Sequence, residues 1–90
     1  MNKRYALVTG ACSGIGLEIA RELARRGYPL LMVSNREAEL EAAAREIAGA
    51  HLVDAQAIQM DLARAAAART LYEEVRRREV EVEILVSNAG

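Results

Sequence analysis

The segment Leu7-Val8-Thr9-Gly10-Ala11-Cys12-Ser13-Gly14-Ile15-Gly16 constrains this chain more than any other. A short apolar strand runs into a glycine-rich turn, and an amphipathic helix comes next. That order builds a cradle for nucleotide phosphates, because the first amides of the helix have no acceptor within it and its dipole favours anions. Gly10 lets the chain turn sharply off the strand. Gly14 removes a side chain where the backbone would approach a pyrophosphate, and Gly16 lets the helix pack closely on the sheet. Three glycines alone are weak evidence; placed between a strand and a helix they form a nucleotide-binding pattern.

The rest of the chain repeats this alternation. Tyr5 to Thr9 is nearly continuous in apolar character, as a parallel strand buried on both faces requires. Gly14 to Arg26 reads as a helix, with Ile15, Ile19 and Leu23 recurring every four residues beside Ala20 and Ala24. Gly27 and Pro29 end it. Leu30 to Val33 is the second strand. Ser34-Asn35-Arg36-Glu37 has the form of a capping box that opens a second helix. Leu40, Ala43, Ala44, Ile47 and Ala48 form the inner face of that helix, and Gly49 its end. Ala55 to Met60 is a third strand. Asp61 caps the next segment, and Ala65 to Arg78 is a third helix facing inward through Ala68, Leu71, Tyr72 and Val75. Val82 to Val86 is the fourth strand. Four strands with intervening helices predict an α/β fold of three layers, with a parallel sheet and right-handed crossovers. The expected strand order is 3-2-1-4, half of a doubly wound sheet.

Composition bounds the function. Ninety residues make one small domain, 52% hydrophobic and 28% charged, with a net charge of −1. That balance carries no nucleic-acid or membrane-surface footprint. Arg76-Arg77-Arg78 is followed by Glu79, Glu81 and Glu83 and reads as a solvated helix end. Cys12 is the sole cysteine, so no intrachain disulfide forms, and a reducing, cytoplasmic location is expected. Its thiol is either redox-sensitive or simply small enough for the turn, and the second reading is preferred. His51 stands alone and fits a loop. With no Cys/His cluster and no nucleophile–base constellation, neither a metal site nor a catalytic set is expected.

Three further landmarks lie beyond the glycine turn. About 20 residues past it, an Asp or Glu would bind the adenosine ribose of NAD. Here Asn35 stands in that place, followed by Arg36. A guanidinium suits the 2′-phosphate of NADP, whereas a carboxylate would repel it, so NADP is expected over NAD. The alternative is that Asn35 caps the helix and Arg36 is solvated. Asp61, after the third strand, would accept from an adenine amino group, cap the next helix, or both. Ser87-Asn88-Ala89-Gly90 offers small residues for backbone approach, and Asn88 would tie strand ends together.

With these landmarks in order, the chain resembles the short-chain dehydrogenase/reductase family. Thr9 to Gly16 is similar to its TGxxxGxG motif, Asp61-Leu62 to its adenine-contacting Asp, and Ser87 to Gly90 to its NNAG motif with serine first. The resemblance covers the whole chain and implies the N-terminal half of a Rossmann fold. It implies that Gly10, Ser13, Ile15 and Gly16 line a pyrophosphate, and that Arg36 meets the 2′-phosphate. It further places Asp61 and Leu62 beside adenine, and Asn88, Ala89 and Gly90 near the ribose linkage. The family's Tyr-x-x-x-Lys pair has no counterpart: Lys3 is the only lysine, and none of Tyr5, Tyr28 or Tyr72 has a lysine four residues on. The expectation is therefore an NADP-binding portion of an oxidoreductase, truncated and inactive alone. A non-catalytic nucleotide-binding or sensor module, and a fragment that binds nothing, are the alternatives. The fourth strand, at a sheet edge, is expected to pair with a second copy.

Overall fold

In the computed structural model, which describes residues 4–88, seven elements succeed one another. They are β1 (Arg4–Thr9), α1 (Gly14–Arg25), β2 (Leu30–Ser34), α2 (Glu37–His51), β3 (Ala55–Gln59), α3 (Ala67–Arg77) and β4 (Glu81–Val86). All pairings are parallel and the strand order is β3-β2-β1-β4, as the sequence predicts. The apolar β1 and β2 fill the centre: Tyr5 to Thr9 and Leu30 to Ser34 are all buried.

The sheet separates two cores. On one face Ala6, Val8, Leu30 and Met32 meet Ala20 and Ala24 of α1 and Leu40, Ala44 and Ile47 of α2. On the other, Tyr5, Leu7, Leu31, Val33 and Ile58 meet Leu71 and Val75 of α3. The two layers of helix sit differently. Among the described residues, no Cα of α3 lies within 8 Å of a Cα in another strand or helix. The C-terminal end of α3 is also bonded to the sheet: Arg78 donates to Gln56 Oε1 at 2.6 Å and to Glu74 at 2.7 Å. Gln56 in turn donates to Asp54, which accepts the Tyr5 hydroxyl. Burial first, and then that bond, push the Tyr5 phenol up to about 12.

Several local expectations fail for identifiable reasons. The row of α1 against the sheet is Gly16, Ala20 and Ala24, while Ile15 is 70% exposed. The smallest side chains, not the largest, permit the close approach. The capping box does not form: Arg36 occupies the N-cap without a side-chain bond, because Ser34 ends β2 and its hydroxyl instead accepts the Arg36 N–H at 3.2 Å. Gly49 stays helical, and α2 runs on through His51 to a left-handed stop at Leu52 (φ 55°). The helix after Asp61 begins only at Ala67. Its inward row is Ala67, Leu71 and Val75, spaced by four, which turns Ala68 and Tyr72 to solvent. No helix of the described residues is long and apolar enough to cross a membrane.

Candidate functional site

The C-terminal ends of β1, β2 and β3 open onto one cleft of about 460 Å³. Its lining joins the glycine turn (Gly10, Cys12, Ser13, Gly14, Ile15) to Ser34-Asn35-Arg36, to Met60-Asp61-Leu62-Ala63, and to Asn88. Segments far apart in the chain therefore meet where open α/β sheets bind ligands.

The glycine turn forms as its residues dictate. Gly10 and Gly14 adopt φ of +61° and +59°, a region costly for a side chain bearing Cβ. The Ala11 N–H donates to Val33 O at 3.2 Å, which ties the turn to β2. Gly16 is the point of closest packing: a Cβ there would lie 2.1 Å from the Gly10 carbonyl oxygen and 2.7 Å from Asn88 Nδ2. A Cβ on Gly14 would instead meet nothing within 4 Å, so this glycine leaves open space at the mouth of the helix. Ser13 is extended at the N-cap and its hydroxyl makes no capping bond. The helix N-terminus thus keeps amides that need an acceptor from outside the helix.

The far wall is assembled from β2, β3 and β4. Ser34 Oγ accepts from Arg36 N and lies 3.1 Å from Cys12 Sγ, so the half-buried thiol fills space between the turn and β2. Asn35 and Arg36 are exposed, and Arg36 Nη1 donates to Glu39 Oε2 at 3.3 Å. Asp61 Oδ1 accepts the Ala63 N–H at 3.0 Å, so it caps a turn and not α3. Asn88 does join strand ends. Its N–H donates to Thr9 Oγ1 at 2.8 Å, while the Thr9 hydroxyl donates to Val86 O at 3.4 Å. Reading the sequence for site residues misses Thr9, although a hydroxyl at the last position of a buried strand signals such a bridge.

Of the residues expected to bind cofactor, nine line the cleft: Gly10, Ser13, Gly14, Ile15, Asn35, Arg36, Asp61, Leu62 and Asn88. Gly16 lies behind it as packing. Ala89 and Gly90 lie outside the described residues. No group of three or more His, Cys, Asp or Glu among the described residues could hold a metal.

Known proteins share this fold. The chain is 40% identical over its whole length to an uncharacterized oxidoreductase, YxjF, of Bacillus subtilis, of which it covers 35%. Over 88 residues it is 40% identical to the very-long-chain 3-oxoacyl-CoA reductase of Eremothecium gossypii, covering 96% of this chain and 24% of that one. Among solved structures, L-sorbose reductase from Gluconobacter frateurii in complex with NADPH and L-sorbose superimposes with a TM-score of 0.91. It is 32% identical, over 99% of this chain and 34% of that one. An alcohol dehydrogenase from Thermococcus sibiricus in complex with 5-hydroxy-NADP gives 0.90 at 34% identity, over 98% and 37% of the two chains. The chain thus spans between about a quarter and a third of the length of these curated relatives. The family model for short chain dehydrogenase matches residues 4–90, and with the parallel order β3-β2-β1-β4 and the glycine cleft this shows that the chain belongs to the short-chain dehydrogenase/reductase family.

Proposed function

We propose that these ninety residues are the nucleotide-binding portion of an oxidoreductase and hold NADP(H) in the cleft above β1, β2 and β3. The observation that carries this is the meeting of an uncapped helix N-terminus, open at Gly14, with a guanidinium at the end of β2. Amides of the first turn of α1 bind the pyrophosphate, with Gly10, Ser13, Ile15 and Gly16 shaping the approach. Arg36, beside Asn35, meets the adenosine 2′-phosphate. Asp61 and Leu62 flank adenine, and Asn88 supports the ribose linkage together with Ala89 and Gly90. When bound, the cofactor would supply the hydride carrier; this chain binds and orients it. The sequence has no Tyr-x-x-x-Lys pair to supply a proton, so the ninety residues alone do not turn over a carbonyl or alcohol. NADPH or 5-hydroxy-NADP in the similar structures supports NADP over NAD.

Titration of the chain and its Arg36→Ala variant with NADPH and NADH, followed by fluorescence and thermal stabilisation, tests this. NADPH affinity should fall about tenfold or more in the variant, the worth of a charge-assisted hydrogen bond, with NADH little changed. Equal NADPH affinity would remove Arg36 from the site; binding of neither cofactor to the parent would remove the reading. A non-catalytic module is the second reading, favoured by 36% identity to the human inactive hydroxysteroid dehydrogenase-like protein 1. Carbonyl reduction by the intact gene product would exclude it.

Two lesser elements belong to the same reading. The single cysteine supports a cytoplasmic location, which cell fractionation checks. Among the described residues β4 pairs on one side only and Leu85 is 68% exposed, which supports edge pairing with a second copy. Sedimentation of the parent as a dimer and of Leu85→Lys as a monomer is the expected outcome; a monomeric parent at high concentration would refute it.

A further inference from the structure

We propose that Glu39 is a specificity-determining residue of the cleft: its carboxylate competes with a 2′-phosphate for Arg36 and so holds down the preference for NADP over NAD. This rests on the cofactor reading above and names a control within it. Arg36 Nη1 donates to Glu39 Oε2 at 3.3 Å, three residues on along the first turn of α2. Both side chains are more than half exposed, at 62% and 58%, so the pair stands at the rim of the cleft that Arg36 lines. The Arg36 backbone is fixed independently, through its N–H to Ser34 Oγ at 3.2 Å. Glu39 therefore engages the guanidinium without setting where the residue sits.

Charge dictates the outcome. A phosphate monoester carries about −1.5 to −2 near neutral pH. Reaching Arg36, it meets a guanidinium already shared with a carboxylate, and it must displace that carboxylate or lie within a few ångströms of it. Both disfavour the phosphate and leave a dinucleotide with a free 2′-hydroxyl nearly unaffected. An exposed pair at this spacing contributes little to folding, so neutralising Glu39 leaves the fold intact.

The test is Glu39→Gln in the ninety-residue chain, titrated calorimetrically with NADP⁺ and with NAD⁺ at low and high salt. Glu41→Gln serves as control, because it removes the same charge from an exposed site of α2 that makes no bond to Arg36. NADP⁺ should bind roughly threefold to tenfold tighter to Glu39→Gln at low salt, NAD⁺ should change less than about twofold, and the gain should shrink with salt. Unchanged or weakened NADP⁺ binding would overturn the proposal, showing a carboxylate that buttresses Arg36. Equal gains in Glu39→Gln and Glu41→Gln would also overturn it, reducing the effect to net charge. A parent that binds NADP⁺ with no response to Glu39→Gln sinks this inference alone; a parent that binds neither dinucleotide sinks the cofactor reading as well.

Discussion

The two faces of the sheet are built on different terms. The face under α1 and α2 is packed through alanine, glycine and a few large aliphatics, and helix and strand backbones come close. The face under α3 is spanned by longer side chains, Leu71, Val75 and Tyr5, with polar bonds through Arg78, Gln56 and Asp54 at its margin. Close backbone approach leaves no flexible side chain between helix and strand to take up a displacement. Long side chains leave play. The glycine turn lies on the close-packed side, where Gly16 meets the Gly10 carbonyl.

The sharpest way to break this contrast is truncation on each face. Ile47→Ala should cost about 2–5 kcal/mol, because its surroundings cannot collapse into the space. Val75→Ala, half-buried under α3, should cost about 1 kcal/mol, since fewer of its atoms leave water on folding. Urea unfolding of both variants decides; equal losses would mean the faces do not differ. Next comes Gly16→Ala. Its new methyl must displace a backbone carbonyl, an overpacking expected to cost about 1–3 kcal/mol and to abolish most dinucleotide binding. Wild-type affinity in that variant would show that the turn has slack.

Tyr5→Phe probes the looser face. It should cost about 1 kcal/mol at neutral pH, the net worth of a hydrogen bond. The pH dependence carries the sign. The folded phenol titrates at about 12 and the unfolded one at about 10, so the folded state binds the proton more tightly. Its contribution is complete below pH 10 and lost as pH rises to 12, so the parent should lose stability across that window and the variant should not. Smallest of all, Arg78→Met should cost about 0.5 kcal/mol, because part of the helix bond network there is open to water. A loss above about 2 kcal/mol would promote that network to a principal fastening of α3.

Much of this was legible in the sequence. The strand order, the cleft and its glycines came from periodicity and from residues with few conformational alternatives. What escaped was decided by tertiary geometry. A capping box needs Ser34 as the helix N-cap, but Ser34 closes β2 and Arg36 takes the N-cap instead. Which row of α1 faces β1 depends on the distance between them, and the small row wins although Ile15, Ile19 and Leu23 give the stronger apolar signal. On α3, Leu71 and Val75 face inward as expected, but Ala67 takes the place of Ala68 and Tyr72 is exposed, because alanines at 65 to 68 carry no directional information.

β4 breaks step with β1. Tyr5 pairs with Val82 and Ala6 with Ile84, so the strand carries one residue, Glu83, that its neighbour does not match. Val82, Ile84 and Val86 have the same parity and in an unbroken strand would all point one way. The extra residue reverses the phase: Val82 joins the α3 side, while Ile84 and Val86 join the α1–α2 side. One glutamate, itself contributing nothing to either interior, thereby decides which oil each aliphatic reaches: taken up in the regular pleat after Val82, it would send Ile84 and Val86 to the α3 side and Leu85 to the other.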